Sequence, residues 1–328
     1  MKVLVTGGAG YIGSHVAFEL LDAGHEVVVL DNLVTGVREN VPAQAEFIEG
    51  DIADTERVGQ IFTKLGAQAV LHFAGSIVVP ESVSNPLKYY LNNTSKTRSL
   101  LESCTSHGID KFIFSSTAAV YGIPEHSPVT ELTPTVPINP YGRSKLMTEW
   151  MLADLAHAHD FRYVALRYFN VAGADARGRT GQSTPEATHL IKVATQTALG
   201  RRPFIEVFGT DYPTPDGTCV RDYIHVSDLA TAHVMALEHL SAGHASQILN
   251  CGYGHGFSVQ EVLATVKSAS NTDFEVRLAP RRAGDPPELT ANSSKLRELF
   301  SWTPRFDDLD TIVRTAYAWE RGASPPQS

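Results

Sequence analysis

The chain has 328 residues, of which 43% are hydrophobic and 19% charged, and its formal net charge is −9. That length and composition suit an ordinary globular protein with a large core and no need of disulfide or metal staples. The acidic balance argues against the basic face that duplex nucleic acid requires, and with no run of eighteen apolar residues nothing is expected to span a membrane.

Short β-branched runs predict strands at Lys2–Thr6, Glu26–Leu30, Glu46–Ile48, Ala69–Phe73, Lys111–Ser115 and Arg162–Tyr168. Between them, helical patterns run over Tyr11–Ala23, Thr55–Leu65, Leu87–His107 and Pro140–His157. The apolar run at Val3–Val5 is too short for a signal peptide, and glycines cut it off at once. Near-continuous apolar strands alternating with helices predict an α/β fold, a doubly wound parallel Rossmann sheet covered on both faces.

After Asn170 the rhythm breaks. Residues Gly173–Pro185 suggest a loop, followed by helical patterns at Ala187–Leu199, Val226–Leu240, Ser258–Ser268 and Leu309–Trp319. Ser246–Gly252 is a candidate for return to the sheet, and the tail Gly322–Ser328 is expected to be disordered. The expected organisation is a dinucleotide-binding domain over 1–170, with a return near 222–252, and a smaller mixed α/β C-terminal substrate domain over 171–328.

Gly7-x-x-Gly10-x-x-Gly13 follows the first strand and opens a helix, the setting in which such glycines mark a dinucleotide site. Gly7 permits the tight turn, Gly10 the approach of a pyrophosphate, and Gly13 close helix–strand packing. Asp31 ends the second strand, where a carboxylate accepts the ribose hydroxyls of NAD and repels the 2′-phosphate of NADP. Gly50-Asp51-Ile52 and Phe73-Ala74-Gly75 end the third and fourth strands and are candidate cofactor contacts.

Ser115-Ser116-Thr117 ends the fifth strand, and Tyr141-x-x-x-Lys145 lies in the following helix, capped by Asn139 with Pro140 in its first turn. Spacing of four puts Tyr141 and Lys145 on one face; Leu146, Met147, Trp150 and Met151 are expected to point to the core from another. A phenol with a pKa near ~10 is a poor base at neutral pH. One ammonium at about 6 Å supplies only part of the shift required, and the charge of an oxidised nicotinamide can supply the rest. Thr117 adds a hydroxyl to relay the proton.

Together these stretches resemble the extended short-chain dehydrogenase/reductase superfamily, and within it the NAD-dependent enzymes that epimerise UDP-hexoses. The later segments Arg167-Tyr168-Phe169-Asn170, Arg221-Asp222-Tyr223-Ile224-His225-Val226 and Pro280-Arg281-Arg282-Ala283-Gly284-Asp285 carry the likeness nearly to the C-terminus. The resemblance implies interconversion of UDP-glucose and UDP-galactose. Tyr141 would take the proton of the sugar 4′-hydroxyl while NAD takes hydride from C4′, and the 4-ketose would turn over and be re-reduced on its other face. Lys145 and Thr117 would complete the catalytic set. It further implies NAD contacts at Tyr11, Ile12, Asn32, Asp51, Ile52, Phe73, Ala74, Gly75, Asn92, Ser115 and Tyr168, in addition to Gly7, Gly10, Gly13, Asp31, Tyr141 and Lys145. Substrate contacts would be Thr117, Tyr141, Asn170, His189, Leu190, Phe208, Arg221, Arg282 and Asp285. The two arginines would clamp the diphosphate. A homodimer paired through the helices near Leu87–His107 and Thr148–His157 is also implied.

Three departures from the usual pattern stand out. Ile77 replaces a lysine that faces the cofactor, Thr188-His189 replaces a pair of asparagines, and Leu289 replaces a bulky tyrosine, which leaves room for N-acetylated UDP-hexosamines. Ala118-Ala119 after Thr117 offers no acid for a dehydratase. The alternatives are another NAD-dependent nucleotide-sugar enzyme of the same fold, a dehydratase, a decarboxylase or a uronate epimerase such as a UDP-glucuronate 4-epimerase, and an NAD-binding regulator without turnover. Cys104, Cys219 and Cys251 match no zinc or redox spacing and suggest reduced thiols in a cytoplasmic protein. The thirteen histidines show no clustered ligand spacing, so no metal is expected.

Overall fold

The computed structural model describes residues 1–184, 188–282 and 284–322. Its first half alternates as β1 (Lys2–Thr6), α1 (Tyr11–Asp22), β2 (Glu26–Asp31), β3 (Glu46–Glu49), α2 (Thr55–Thr63), β4 (Ala69–His72), α3 (Val79–Ser84), α4 (Pro86–Tyr89), α5 (Lys96–Ser106), β5 (Lys111–Ser115), α6 (Pro140–Ala158) and β6 (Arg162–Tyr168). Shorter elements follow: β7 (Asn170–Ala172), α7 (Leu190–Ala198), β8 (Ile205–Phe208), β9 (Val220–Arg221), β10 (Tyr223–His225), α8 (Val226–Ser241) and β11 (Gln247–Cys251). The last are β12 (Phe257–Ser258), α9 (Val259–Ser270), β13 (Val276–Ala279), β14 (Glu288–Leu289), α10 (Ser294–Phe300) and α11 (Leu309–Arg321).

Seven strands form one sheet in the order β11-β6-β5-β4-β1-β2-β3. The pairings from β6 to β3 are parallel, with Leu4 opposite Val28 on one side and Val70 on the other. The strand order reverses at β1, and in such sheets ligands bind beyond the carboxyl ends of the strands at that switch point. Leu4, Val28, Leu30, Val70, Phe112 and Phe114 join one core with Val58, Ile61 and Phe62 of α2, Leu100 and Leu101 of α5 and Leu152 of α6. Burial of both sheet faces is why these strands lack polar alternation.

The chain forms two compact units, each assembled from several segments. The first comprises Met1–Gly122, Thr135–Arg167 and Ala230–Leu249, and the second Ile123–Pro134, Tyr168–Leu229 and Asn250–Ser328. In the second unit the strands are short, and polar ties replace a broad sheet. The buried Asp222 carboxylate accepts the backbone N–H groups of Tyr253 at 2.9 Å, Gly254 at 3.0 Å and Ala291 at 3.2 Å, which fixes two separate segments to one point.

Several expectations need correction. The helix expected over Leu87–His107 is broken into α4, a π-helical turn at Tyr90–Ser95, and α5. Trp150 is 57% exposed rather than in the core. Leu146 is buried and Met151 packs against the core as expected, but the buried face of α6 also carries Tyr141, Lys145, Thr148, Glu149 and Leu152, so polar residues satisfied by hydrogen bonds share it. The helix expected from Ala187 starts at Leu190, and Ala187 lies outside the described residues, as do Pro185 of the loop and Ala323–Ser328 of the tail.

Candidate active site

The glycine turn closes against the neighbouring strand end, backbone to backbone. Gly7 has φ +71°, and a Cβ there would sit 2.6 Å from the Ala74 nitrogen and 2.8 Å from the Phe73 carbonyl carbon. A Cβ on Gly13 would sit 2.3 Å from the Gly7 oxygen, so the first turn of α1 rests directly on the loop. No side chain caps α1, whose N-cap is Gly10, and its first turn holds no acidic residue. The positive end of the helix dipole is thereby kept for a ligand anion. This cradle fits a dinucleotide pyrophosphate.

Asp31 is 7% exposed and links the loop to the end of β2: Oδ2 accepts Ala9 N–H at 2.9 Å and Oδ1 accepts Leu33 N–H at 2.8 Å. Burial pushes its carboxyl up, and the two amides pull it partly back. A carboxylate has about four lone-pair directions, so these two bonds leave capacity for ribose hydroxyls. Asp51 accepts Lys96 Nζ at 2.6 Å, Ala53 N–H at 2.9 Å and Asn32 Nδ2 at 3.4 Å. Burial alone would raise it, but these partners outweigh burial and hold it below the usual carboxylate range. Ile52 beside it is buried, and Tyr11 is buried with its ring edge-on to His15.

The stretch Phe73–Gly75 is clamped from the π-helical turn. Asn93 Oδ1 accepts Ser76 N–H at 2.7 Å, while its Nδ2 donates to Ser76 O and to Ser144 Oγ, both at 3.0 Å. Asn92 Nδ2 donates to Ser76 Oγ at 3.0 Å. Ile77 is 43% exposed, so the position where a lysine was expected offers only a solvent-facing apolar side chain.

Tyr141, Lys145, Thr117 and Ser115 come together at the carboxyl end of β5, in the first unit. Asn139 Oδ1 accepts Gly142 N–H at 2.9 Å and fixes the start of α6. Tyr141 and Lys145 are 9% and 3% exposed. Lys145 Nζ donates to the Ser115 carbonyl at 2.8 Å and lies 4.9 Å from the centre of the Phe114 ring. Burial lowers the Lys145 ammonium to about 8, against the charge of Glu149, which raises it. Burial pushes the Tyr141 phenol up, and hydrogen bonding to Thr117 pulls it back. The protein's own groups therefore leave the phenol protonated at neutral pH. Behind them His72, held by Thr6 at 2.7 Å and Thr97 at 2.9 Å, is pushed down to about 3 by burial and by the Lys145 charge. The centre thus holds one cation and two neutral rings.

Of the residues expected at the substrate, Thr117 and Tyr141 lie in the first unit, and Asn170, His189, Leu190, Phe208, Arg221, Arg282 and Asp285 lie in the second, as does Tyr168. Asn170, His189 and Leu190 line one pocket together with Gln182, whose Nε2 donates to His189 Nδ1 at 2.9 Å. The Arg282 guanidinium lies 3.7 Å from the centre of the Phe208 ring, and Arg221 faces Asp285 at 3.6 Å. Leu289 pairs in register with Arg221. Arg281, by contrast, is engaged by Asp211 at 2.6 Å.

Sequence reasoning missed Asn93, Ser144, Lys96, Ser116, Glu149 and Arg167. Ser116 and Arg167 stood within recognised stretches but without a role, and the i, i+4 spacing of Lys145 and Glu149 ordinarily marks a solvated pair.

A strand-end carboxylate, an uncapped glycine-led helix and a buried Tyr–Lys pair on one parallel sheet describe a nucleotide-dependent enzyme of the extended dehydrogenase type. The chain belongs to the NAD dependent epimerase/dehydratase family, whose profile matches residues 3–252. It is 59% identical over 320 residues, 98% of this chain and 92% of the relative, to a UDP-glucose 4-epimerase of Azospirillum brasilense. A solved UDP-glucose 4-epimerase from Brucella ovis, in complex with NAD, superposes with a TM-score of 0.94 at 48% identity, covering 96% of this chain and 97% of that one. A UDP-Glc/GlcNAc 4-epimerase from Campylobacter jejuni is 50% identical, with a TM-score of 0.86 and coverage of 98% and 99%.

Proposed function

We propose that this protein is a UDP-glucose 4-epimerase, interconverting UDP-glucose and UDP-galactose with NAD as its resident cofactor. The observation that carries this reading is the intact Tyr141–Lys145–Thr117 set in a chain 59% identical over nearly its whole length to an enzyme of that name. When bound, NAD supplies reversible hydride acceptance at its nicotinamide.

In this reading the first unit holds NAD, over Gly7, Gly10, Tyr11, Ile12, Gly13, Asp31, Asn32, Asp51, Ile52, Phe73–Gly75, Asn92 and Ser115. Tyr141 Oη exchanges a proton with the sugar 4-hydroxyl. Its phenol stands too high to be a base on its own, so a positive charge must join Lys145 beside it. Thr117 relays and orients that proton. Lys145, anchored on the Ser115 carbonyl, keeps its remaining N–H groups for the cofactor ribose.

In the second unit Arg221 and Arg282 bind the diphosphate, Phe208 lies by the uracil, Asp285 holds the uridine ribose, and Asn170, His189 and Leu190 complete the site with Tyr168 on the cofactor side. Because Leu289 is smaller than tyrosine and in register with Arg221, the sugar pocket also admits a 2-N-acetyl group. The exposed Leu87, Leu91 and Trp150 support a homodimer through the helices that carry them. The three buried free thiols support a cytoplasmic setting. Among the described residues no helix is long and apolar enough to cross a membrane.

The test is incubation of the purified protein with UDP-galactose and, separately, UDP-N-acetylgalactosamine. Conversion of the first supports the reading and conversion of both supports the wider pocket. Conversion of neither would move the assignment to another nucleotide-sugar enzyme of the same fold.

A further inference from the structure

Behind the Tyr141–Lys145 pair lies a buried ionic network that the reaction as described does not use. Glu149 follows Lys145 by one helical turn on the buried face of α6 and is 1% exposed. Its carboxylate accepts Arg167 Nε at 3.0 Å and Arg167 Nη2 at 2.5 Å, and Ser116 Oγ donates to it at 2.5 Å. Arg167 is 4% exposed and donates through Nη1 to Tyr121 Oη at 3.0 Å, with its guanidinium 5.0 Å from the centre of that ring. Ser116 is fully buried and stands between Ser115, whose carbonyl holds Lys145, and Thr117.

Stability is a weak reason for such a pair. Desolvating two ions costs several kcal/mol each, and apolar replacements of similar volume are often as stable or more so. What apolar side chains could not provide is a fixed negative charge one turn from a buried ammonium. We propose that Glu149 is a positioning residue of the reaction: its carboxylate, braced by Arg167 and Ser116, is the counter-charge that keeps Lys145 an ammonium in the dry site. This rests on the functional reading above.

The surroundings agree. The groups facing Lys145 are Tyr141 and Glu149 on α6, His72 on β4, and Ser115 with Phe114 on β5. His72 is neutral, Tyr141 is a protonated phenol, and Glu149 raises the ammonium against the burial that lowers it. The brace also joins four elements, since Glu149 lies on α6, Ser116 after β5, Arg167 on β6 and Tyr121 in the turn Ala118–Tyr121. The charge is therefore fixed in space as well as in sign.

The experiment uses Glu149→Gln, and Glu149→Gln combined with Arg167→Met, which removes both charges of the pair and leaves no stranded guanidinium should the single variant fail to fold. Lysine 13Cε resonances followed against pH in protein stripped of nucleotide report the Lys145 titration directly, and pH profiles of turnover report it in the working enzyme. In the double variant the Lys145 midpoint is expected to fall by about one pH unit, with the alkaline limb of turnover moving down alongside it. The single variant, which also leaves Arg167 positive, is expected to move both further. A midpoint and limb unchanged from the parent, with activity merely lowered, would make the network a structural brace and overturn the proposal. Lys145→Met and Tyr141→Phe separate the two readings. If those variants keep near-parental turnover, the functional assignment itself fails. If they abolish turnover while the Glu149 variants leave the titration in place, only the role of Glu149 falls.

Discussion

Replacing Gly13 with alanine tests whether the glycine turn is a cradle built to sub-ångström tolerance. The added Cβ would meet the Gly7 oxygen at 2.3 Å, the Gly7 carbonyl carbon at 2.9 Å and the Gly8 Cα at 2.9 Å. All three are backbone atoms with no rotamer to yield, so either α1 or the loop must move. Overpacking of this kind costs about 1–3 kcal/mol, which corresponds to a fall in Tm of roughly 2–8 °C. The larger effect falls on the ligand. Displacing the helix terminus misdirects N–H groups toward the pyrophosphate, and losing one or two hydrogen bonds to a charged group lowers NAD affinity by about 10²-fold. Calorimetric titration of nucleotide-stripped protein with NAD, alongside thermal melts, measures both. Gly10→Ala is the contrast: its Cβ meets only the Gly7 oxygen, at 3.1 Å, and its φ of −80° suits alanine. Its Tm should stay within about 2 °C of the parent, since the smaller unfolded-state entropy offsets a mild contact. Parental NAD affinity and Tm in Gly13→Ala would refute the cradle geometry.

Asp31→Asn is expected to weaken NAD binding and narrow the preference over NADP. Asparagine keeps one acceptor oxygen where Ala9 and Leu33 each donate to a different carboxylate oxygen, and a neutral side chain no longer repels a 2′-phosphate; paired titrations with the two nucleotides measure this. Arg167→Met alone strands a buried carboxylate and should cost about 3–5 kcal/mol by denaturant unfolding, more than the Glu149→Gln/Arg167→Met pair. Glu320 accepts Arg201 at 2.7 Å and Gln196 at 3.2 Å and is paired with Lys192; despite burial, these partners hold its carboxyl below the usual range. Its contribution is therefore fully present above the unfolded value near ~4.3 and is lost as pH falls through the lower folded value. Glu320→Gln should flatten the dependence of stability on pH below about 4, as measured by melts across that range.

The sequence made the sheet legible because burial on both faces writes strands as unbroken apolar runs, and β1, β2, β4 and β5 fall within a residue of their expected ends. The cradle was legible because glycine is the residue that Gly7 and Gly13 demand on steric grounds. The second unit was opaque for the opposite reason. Its order depends on long-range polar ties such as Asp222 to Tyr253, Gly254 and Ala291, and Asp228, which accepts Tyr253 Oη at 2.6 Å and the Arg305 and Phe306 amides at 2.9 Å. No local period announces those contacts. The π-helical turn escaped because a single helical period runs through Leu87–His107, yet it is that turn which aims Asn92 and Asn93 at Ser76. Glu149 escaped because its partner Arg167 is eighteen residues away, on a different element.

In the proposed reaction one sugar carbon is oxidised and re-reduced, with NAD retained throughout. Its most direct test is to supply UDP-galactose deuterated at C4 to the purified protein in ordinary water, without added NAD, and to follow the product by proton NMR. UDP-glucose carrying the deuterium at C4 is the predicted result, with conversion falling by orders of magnitude in Tyr141→Phe. Loss of the deuterium to solvent, or parental conversion by Tyr141→Phe, would contradict it.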